Sequence, residues 1–260
     1  KAPGERSKVR SEGGHGDWAP ADGLPDLYIA MGQTAENVAE LKGVSREAMD
    51  EYGVMSQNKA EQAISRGFFE MDITPVTMPD GTVVSTDDGP RAGVTLEAVS
   101  QLKPAFRPDG RVTAGNACPL NDGAAAVVVM SRKRAEELGI DPIARIIASS
   151  VSALNPEIMG LGPIEAIKRV LARANMSMSD IDLVEINEAF AAQVIPSADE
   201  LGIDMVDQLN VNGGAIALGH PFGQTGARIM TTLLNGLQDS DKTFGLASMC
   251  VGGGQGMAMI

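Results

Sequence analysis

The sequence predicts an α/β layered protein whose first hundred or so residues are helical and loop-rich. Three observations carry that reading. Beyond Arg111, short apolar runs of strand length alternate with amphipathic runs of helical length, the pattern of an α/β layered domain. Hydrophobic content is 43% with aromatics at only 3%, so the core is aliphatic, built from Ala, Val, Ile, Leu and 14 Met. Glycine and proline cluster between the periodic segments, where turns are needed.

In chain order, residues 1–25 are rich in Gly, Pro and charge without apolar period and read as an irregular loop. His15 stands there between glycines as a solvated residue, and Arg6, Lys8 and Arg10 are cations that could meet a phosphate. From Gly32 to Phe69 the pattern is helical. Ser45 is an N-cap with Glu47 in the first turn, and Ala48, Tyr52, Met55 and Ala63 recur at helical intervals until Gly67. Residues 71–110 alternate short β-like pieces with turns at Pro79-Asp80-Gly81, Asp88-Gly89-Pro90 and Pro108-Asp109-Gly110.

A Gly/Asn-rich turn then leads into the longest apolar run, Ala124 to Met130, expected as a strand covered on both faces. Arg132 to Leu138 is a short surface helix closed by Gly139. A strand over Ala144–Ser149, a helix opened by Pro163 and a strand over Ile181–Ile186 follow. Next come a helix from Ala189, a glycine-rich segment, and a helix bearing Ile229, Met230, Leu233, Leu234 and Leu237. The last strands are Phe244–Met249 and Gly256–Ile260.

A net charge of −13 argues against general nucleic-acid binding and against an anionic membrane surface. Two cysteines in 260 residues do not form a disulfide framework, which points to a reducing, cytoplasmic setting. No apolar run reaches membrane-span length and no signal peptide is apparent. The chain begins at Lys1 without methionine and stops at Ile260 inside an apolar segment, so both ends read as cut.

Chemistry concentrates between Asn212 and Gly256. One of two histidines, His220, follows Gly213, Gly214 and Gly219; one of two cysteines, Cys250, precedes Gly252, Gly253 and Gly254. A thiol, an imidazole and backbone donors freed by glycine are the parts of acyl transfer. Taken singly, each part also has an ordinary reading: a structural histidine, an inert buried thiol, a turn. Asn187 ends the strand-like LVEI and opens a helix, so on its residues alone it is either a helix cap or a site residue at a strand's carboxyl end.

GHPFGQTGAR (Gly219–Arg228) and CVGGGQG (Cys250–Gly256) resemble the two C-terminal signatures of the thiolases, the acyl-CoA C-acyltransferases, and NEAFA (Asn187–Ala191) resembles a third. The resemblance covers essentially the whole chain, most weakly the first 25 residues. It implies a thiolase-like layered αβαβα fold with a helical loop-domain insertion. Residues 1–119 would be the loop domain, 120–142 the tail of the N-terminal domain, and 143–260 the C-terminal domain.

It also implies roles. Asn187 would hold a water that, with His220, forms an oxyanion hole for a thioester oxygen. Cys250 would be the acid/base, a thiol tuned towards neutral pH, and the Gly252 N–H would serve a second oxyanion hole. His220 would also activate a nucleophilic cysteine, which in thiolases sits in a separate motif that nothing here matches. Cys118, in GNACPLNDGAAA, stands where the family more often has a serine bordering the pantetheine, and is not that nucleophile. Met31, in MGQTAEN, would line the pantetheine channel; Arg91 would lie near the nucleotide end; Ala189 and Phe190 match coenzyme-contacting positions. Ala30 replaces a histidine of some biosynthetic members.

The implied activity is thiolytic cleavage of 3-ketoacyl-CoA, or the reverse Claisen condensation, in fatty acid metabolism. Coenzyme A thioesters are the substrate, with no cofactor and no metal, and the assembly is a homodimer or homotetramer. The alternatives are a β-ketoacyl synthase-like condensing enzyme, disfavoured by the CVGGGQG ending, and a non-catalytic acyl-CoA-binding subunit.

Overall fold

A computed structural model describes residues 25–260. Arg6, Lys8, Arg10 and His15 lie outside the described residues.

The helical reading of residues 32–69 resolves into two helices, α1 (Met31–Lys42) and α2 (Arg46–Ser65). Gly43 ends α1 in the left-handed region, and the Ser45 side chain accepts from the Ala48 N–H to start α2, as its sequence position predicts. Strands β1 (Val76–Thr77) and β2 (Val83–Val84) form a small exposed hairpin, closed where Met78 N–H donates to the Thr82 carbonyl at 2.8 Å. A short helix α3 (Leu96–Ser100) is capped by Thr95 and lies against α2.

Helix α4 (Arg132–Leu138) has the predicted bounds, Ser131 as its cap and Gly139 in the left-handed region at its end. The expected strand Ala124–Met130 is not formed, and Val128 is 86% exposed. A ladder needs a partner strand, and none of the described strands pairs with this run.

The main sheet is β3 (Ser149–Ala153), β6 (Gln255–Met259), β5 (Gly245–Val251) and β4 (Leu183–Ile186), in that spatial order. Only β4 and β5 run parallel; β6 is antiparallel to both its neighbours. The expected strand over Ala144–Ser149 begins later, because only Ser149–Ala153 finds a full ladder on β6; Ile147 and Ala148 are held by Ile260 alone.

Helix α5 (Gly162–Ala174) and helix α6 (Ala191–Leu201) cover one face of the sheet, and α8 (Thr225–Asp239) covers the other over β4 and β5. The period-2 pattern of the strands enforces this. Val184, Ile186 and Leu246 join Ile167, Val170 and Val194 in the larger core, while Leu183 and Ala247 join Ile229, Leu233 and Leu237 in the smaller one. Helix α7 (Ala215–Leu218), a single turn between α6 and α8, was not legible in the sequence.

A buried carboxylate is one of the groups that tie the helical insertion to this core. Glu188, 1% exposed, accepts from Tyr52 Oη (2.9 Å) and Ser56 Oγ (2.6 Å) on α2, from Asn210 Nδ2 (2.8 Å) and from the Ile216 N–H (3.1 Å). A buried carboxylate is tolerable here because its lone pairs meet fixed donors.

Candidate active site

The parallel pair β4–β5 places its two carboxyl ends together, where open α/β sheets carry their sites. Asn187 leaves β4 with its N–H on the Ser248 carbonyl at 3.0 Å, two residues before Cys250 on β5. The topology therefore gathers the Asn187 and Cys250 motifs at one edge.

His220 arrives from the loop between α7 and α8. Gly219 turns the chain at φ 91°, and a Cβ there would stand 2.5 Å from Asn121 Oδ1, so only glycine fits before the histidine. The imidazole Nε2 lies 3.3 Å from Asn187 Nδ2, and Nδ1 lies 2.7 Å from Thr225 Oγ1 at the start of α8. Phe222, exposed, meets the ring edge-on with centroids 5.0 Å apart. Burial, and then the Arg228 charge, hold the His220 pKa below its ordinary value, so the ring is neutral at neutral pH. Asn187 Oδ1 is buried without a hydrogen-bond partner, an acceptor aimed at nothing in the described residues.

Cys250 departs from the expectation of a thiol tuned towards neutrality. Burial pushes its pKa up to about 12, and its Sγ donates to Gln193 Oε1 at 3.3 Å. The neighbour is an acceptor and no cation among the described residues offsets the desolvation, so both effects favour the S–H form. This thiol is held in its S–H form and is not an attacking thiolate. Gln193, from α6, was missed by the sequence reading; its only signal was a glutamine in the buried run AAQV. Among the described residues its Nε2 has no hydrogen-bond partner.

Cys118 is pushed up to about 12 by the same cause and is likewise held as S–H. It lies in a strand-like segment paired with the NEAFA turn: Ala117 bridges Phe190, the Cys118 N–H donates to the Ala189 carbonyl at 3.1 Å, and the Ala191 N–H donates to Asn116 at 2.9 Å. Phe190 stacks edge-on with Phe106 at 6.0 Å, and Phe106 lies so close to Gly32 that a Cβ there would overlap its ring. Met31, the half-exposed first residue of α1, thus sits one residue from a wall made of Phe106 and Phe190.

Gly252 is exposed in the β5–β6 turn, its carbonyl accepting from Gln255 Nε2 at 3.3 Å. Gly254 closes that turn at φ 88°, where a Cβ would strike the Leu154 carbonyl oxygen. Arg91 is not drawn into the cluster. Its backbone N–H donates to Gln57 Oε1 at 3.0 Å, and its guanidinium is exposed.

Two cavities, of about 620 and 430 Å³, lie elsewhere and neither is lined by His220, Asn187 or Cys250. No cluster of His, Cys, Asp and Glu able to hold a metal ion occurs among the described residues. No helix among them is long and apolar enough to cross a membrane.

Comparison with known proteins bears on this geometry. The family model of the thiolase N-terminal domain matches residues 5–133 and that of the thiolase C-terminal domain matches residues 140–260. An acetyl-CoA acetyltransferase of Cupriavidus necator is 51% identical over 244 residues, covering 92% of this chain and 62% of that protein. One from Pseudomonas aeruginosa is 48% identical, covering 99% of this chain and 67% of that protein. Among solved structures, an acetyl-CoA acetyltransferase of Bacillus anthracis is similar with a TM-score of 0.87 at 46% identity, over 91% of this chain and 61% of the other. The human mitochondrial 3-ketoacyl-CoA thiolase in complex with CoA gives 0.84 at 40% identity, over 91% and 60%. The chain therefore spans about three fifths of the length of most of these relatives.

Proposed function

This chain belongs to the thiolase family, and from that premise we propose that it serves acyl-CoA C-acyltransfer: thiolytic cleavage of a 3-ketoacyl-CoA or the reverse condensation. Membership of this family sets aside the β-ketoacyl synthase alternative. The observation that carries the reading is the meeting of Asn187 and His220, 3.3 Å apart, at the strand edge that also bears Cys250.

In the cleavage direction, a nucleophilic thiolate adds to the keto carbon, and the Cα–Cβ bond then breaks, leaving its electron pair on the thioester as an enolate. His220, with a water held by Asn187, faces the enolate oxygen, where one lost donor typically costs about 10²–10³ in rate. The Cys250 S–H, kept protonated by burial, delivers the proton to the enolate carbon, where it becomes a C–H bond. The Gly252 N–H, exposed in its turn, serves the second oxyanion. Met31, Cys118, Ala189 and Phe190 border the pantetheine, and Arg91 lies towards the nucleotide. Coenzyme A thioesters are the substrate and no further cofactor takes part.

The chain divides into a loop domain to 119, an N-terminal tail to 142 and a C-terminal domain from 143; the gap between the two matched segments, after 133 and before 140, supports the last boundary alone. A homodimer or homotetramer, a cytoplasmic setting and a role in fatty acid metabolism complete the proposal.

The test is a chimera in which these residues replace the matching part of the Cupriavidus necator relative, assayed for thiolysis of acetoacetyl-CoA. His220→Ala should abolish both acyl-enzyme formation and cleavage. Cys250→Ala should block cleavage of acetoacetyl-CoA while leaving an acyl-enzyme, formed from acetyl-CoA, detectable by mass spectrometry. Loss of acyl-enzyme in both variants alike would refute the division of roles.

A further inference from the structure

We propose that Thr225 is a positioning residue that fixes His220 as its Nδ1–H tautomer, so that the Nε2 lone pair faces Asn187 and the reacting atoms. The proposal rests on the acyl-transfer reading above and deepens it.

Both sides of the ring give the same assignment. Thr225 Oγ1 stands 2.7 Å from His220 Nδ1 and 2.9 Å from the Pro221 carbonyl oxygen. A carbonyl only accepts, so the single hydroxyl proton goes to Pro221 and the oxygen is left to accept from Nδ1–H. On the opposite side, Nε2 faces the Asn187 amide nitrogen at 3.3 Å, a donor that needs an acceptor. The other tautomer would require the Thr225 hydroxyl to leave Pro221 and the Asn187 amide to turn over together.

Thr225 is fully buried, so no water competes for its hydroxyl. It stands in the first turn of α8, five residues after the histidine, so the helix that covers β4 and β5 also aims the imidazole. Arg228, one turn further along the same helix, is the charged group whose field reaches the ring, and with burial it keeps the ring neutral. Tautomer choice matters only for a neutral ring.

The chemistry needs this tautomer. To activate a thiol, the imidazole must first accept a proton at the nitrogen that faces it. Once it has, the same Nε2–H becomes the donor for the enolate oxygen. An Nε2–H ring could donate but could not accept there. A free histidine side chain favours the Nε2–H form, so the preferred state has to be imposed by the partner of Nδ1.

The experiment is ¹⁵N NMR of histidine-labelled 260-residue chain carrying His15→Gln, which leaves His220 as its one histidine. The expected result is a protonated Nδ1 and an unprotonated Nε2 at a pH above the ring's titration. Thr225→Val should lose that preference and Thr225→Ser should retain it. A wild-type ring protonated at Nε2, or an unchanged tautomer in Thr225→Val, overturns the proposal, and the first of these does so even if the valine variant fails to fold.

In the active chimera, Thr225→Val should slow acyl-enzyme formation by roughly tenfold or more, with Thr225→Ser restoring it. A tautomer shift that leaves this rate unchanged overturns the positioning role. An inactive wild-type chimera beside the expected NMR result counts against the thiolase reading alone.

Discussion

Replacing Glu188 by glutamine should destabilise the protein far more than so small a change suggests. Glu188 Oε1 accepts from Tyr52 Oη and Asn210 Nδ2, and Oε2 from Ser56 Oγ and the Ile216 N–H. Each oxygen therefore meets one hydroxyl, which can turn its proton away, and one nitrogen, which cannot. Whichever oxygen becomes NH₂, one obligate donor is left facing another donor inside the protein. An orphaned buried donor costs about 1–3 kcal/mol, and the remaining bonds lose the strengthening that a charged acceptor gives. Relief of the buried charge offsets part of this. The expected loss is about 2–4 kcal/mol for Glu188→Gln and more for Glu188→Ala, which orphans all four donors. Urea unfolding with linear extrapolation measures it, and hydrogen exchange should show α2 losing protection first. A glutamine variant within about 0.5 kcal/mol of wild type would refute the accounting, because surface-like changes fall in that range.

Glu185 predicts a pH dependence. Burial raises its pKa to about 8; Arg228, which opposes this, is 3.8 Å away and its terminal nitrogens make no hydrogen bond among the described residues, so burial prevails. The folded state then holds a proton that the unfolded chain releases near its ordinary value. Stability should therefore be greatest at low pH for this group and fall from about pH 4.5 to about 8, at up to about 1.4 kcal/mol per unit; Glu185→Gln should flatten that slope in urea titrations. Cys118→Ser should change chimera turnover by less than roughly tenfold, about 1.4 kcal/mol, and a collapse would identify it as a nucleophile. Gln193→Leu should slow proton transfer to the enolate while altering stability by less than about 1 kcal/mol, since it removes an unpartnered buried nitrogen along with the acceptor of the Cys250 proton. Solvent-isotope-sensitive thiolysis kinetics and thermal melts separate those two effects.

Much of this architecture was legible in the residues. Ser45 and Gly139 mark helix ends because caps and left-handed glycines are local chemistry, whereas Gly43, which splits the helical stretch in two, and the Ser131 cap went unread. Strands β4, β5 and β6 fell within two residues of their expected bounds because apolar runs of that length were flanked by turns. What failed was what depends on partners. Ala124–Met130 carries a strand's residues without a ladder, and β3 begins only where β6 lies beside it. The motif residues at the site were equally readable, but Gln193 and Thr225 were not. Their roles come from a helix face turned towards Cys250 and a hydroxyl brought back over His220, which no single stretch of sequence displays.

The sheet topology also sets an order of assembly. Cys250 lies on β5, which reaches β6 through a three-residue glycine turn, whereas β4 meets β5 only after a crossover that carries α6, α7 and α8. Hairpins of the first kind close within microseconds, and long-range parallel pairing is slow because loop closure precedes any gain in contact. The thiol is thus presented to solvent on a formed hairpin before Asn187 docks beside it and α6 brings Gln193 over it. During that interval it lacks the burial that raises its pKa in the finished fold. The refolding chain is therefore open to alkylation and oxidation at a thiol that the finished fold holds as S–H, and the loss of Cys250 reactivity during refolding is a clock for the closing of the site around it.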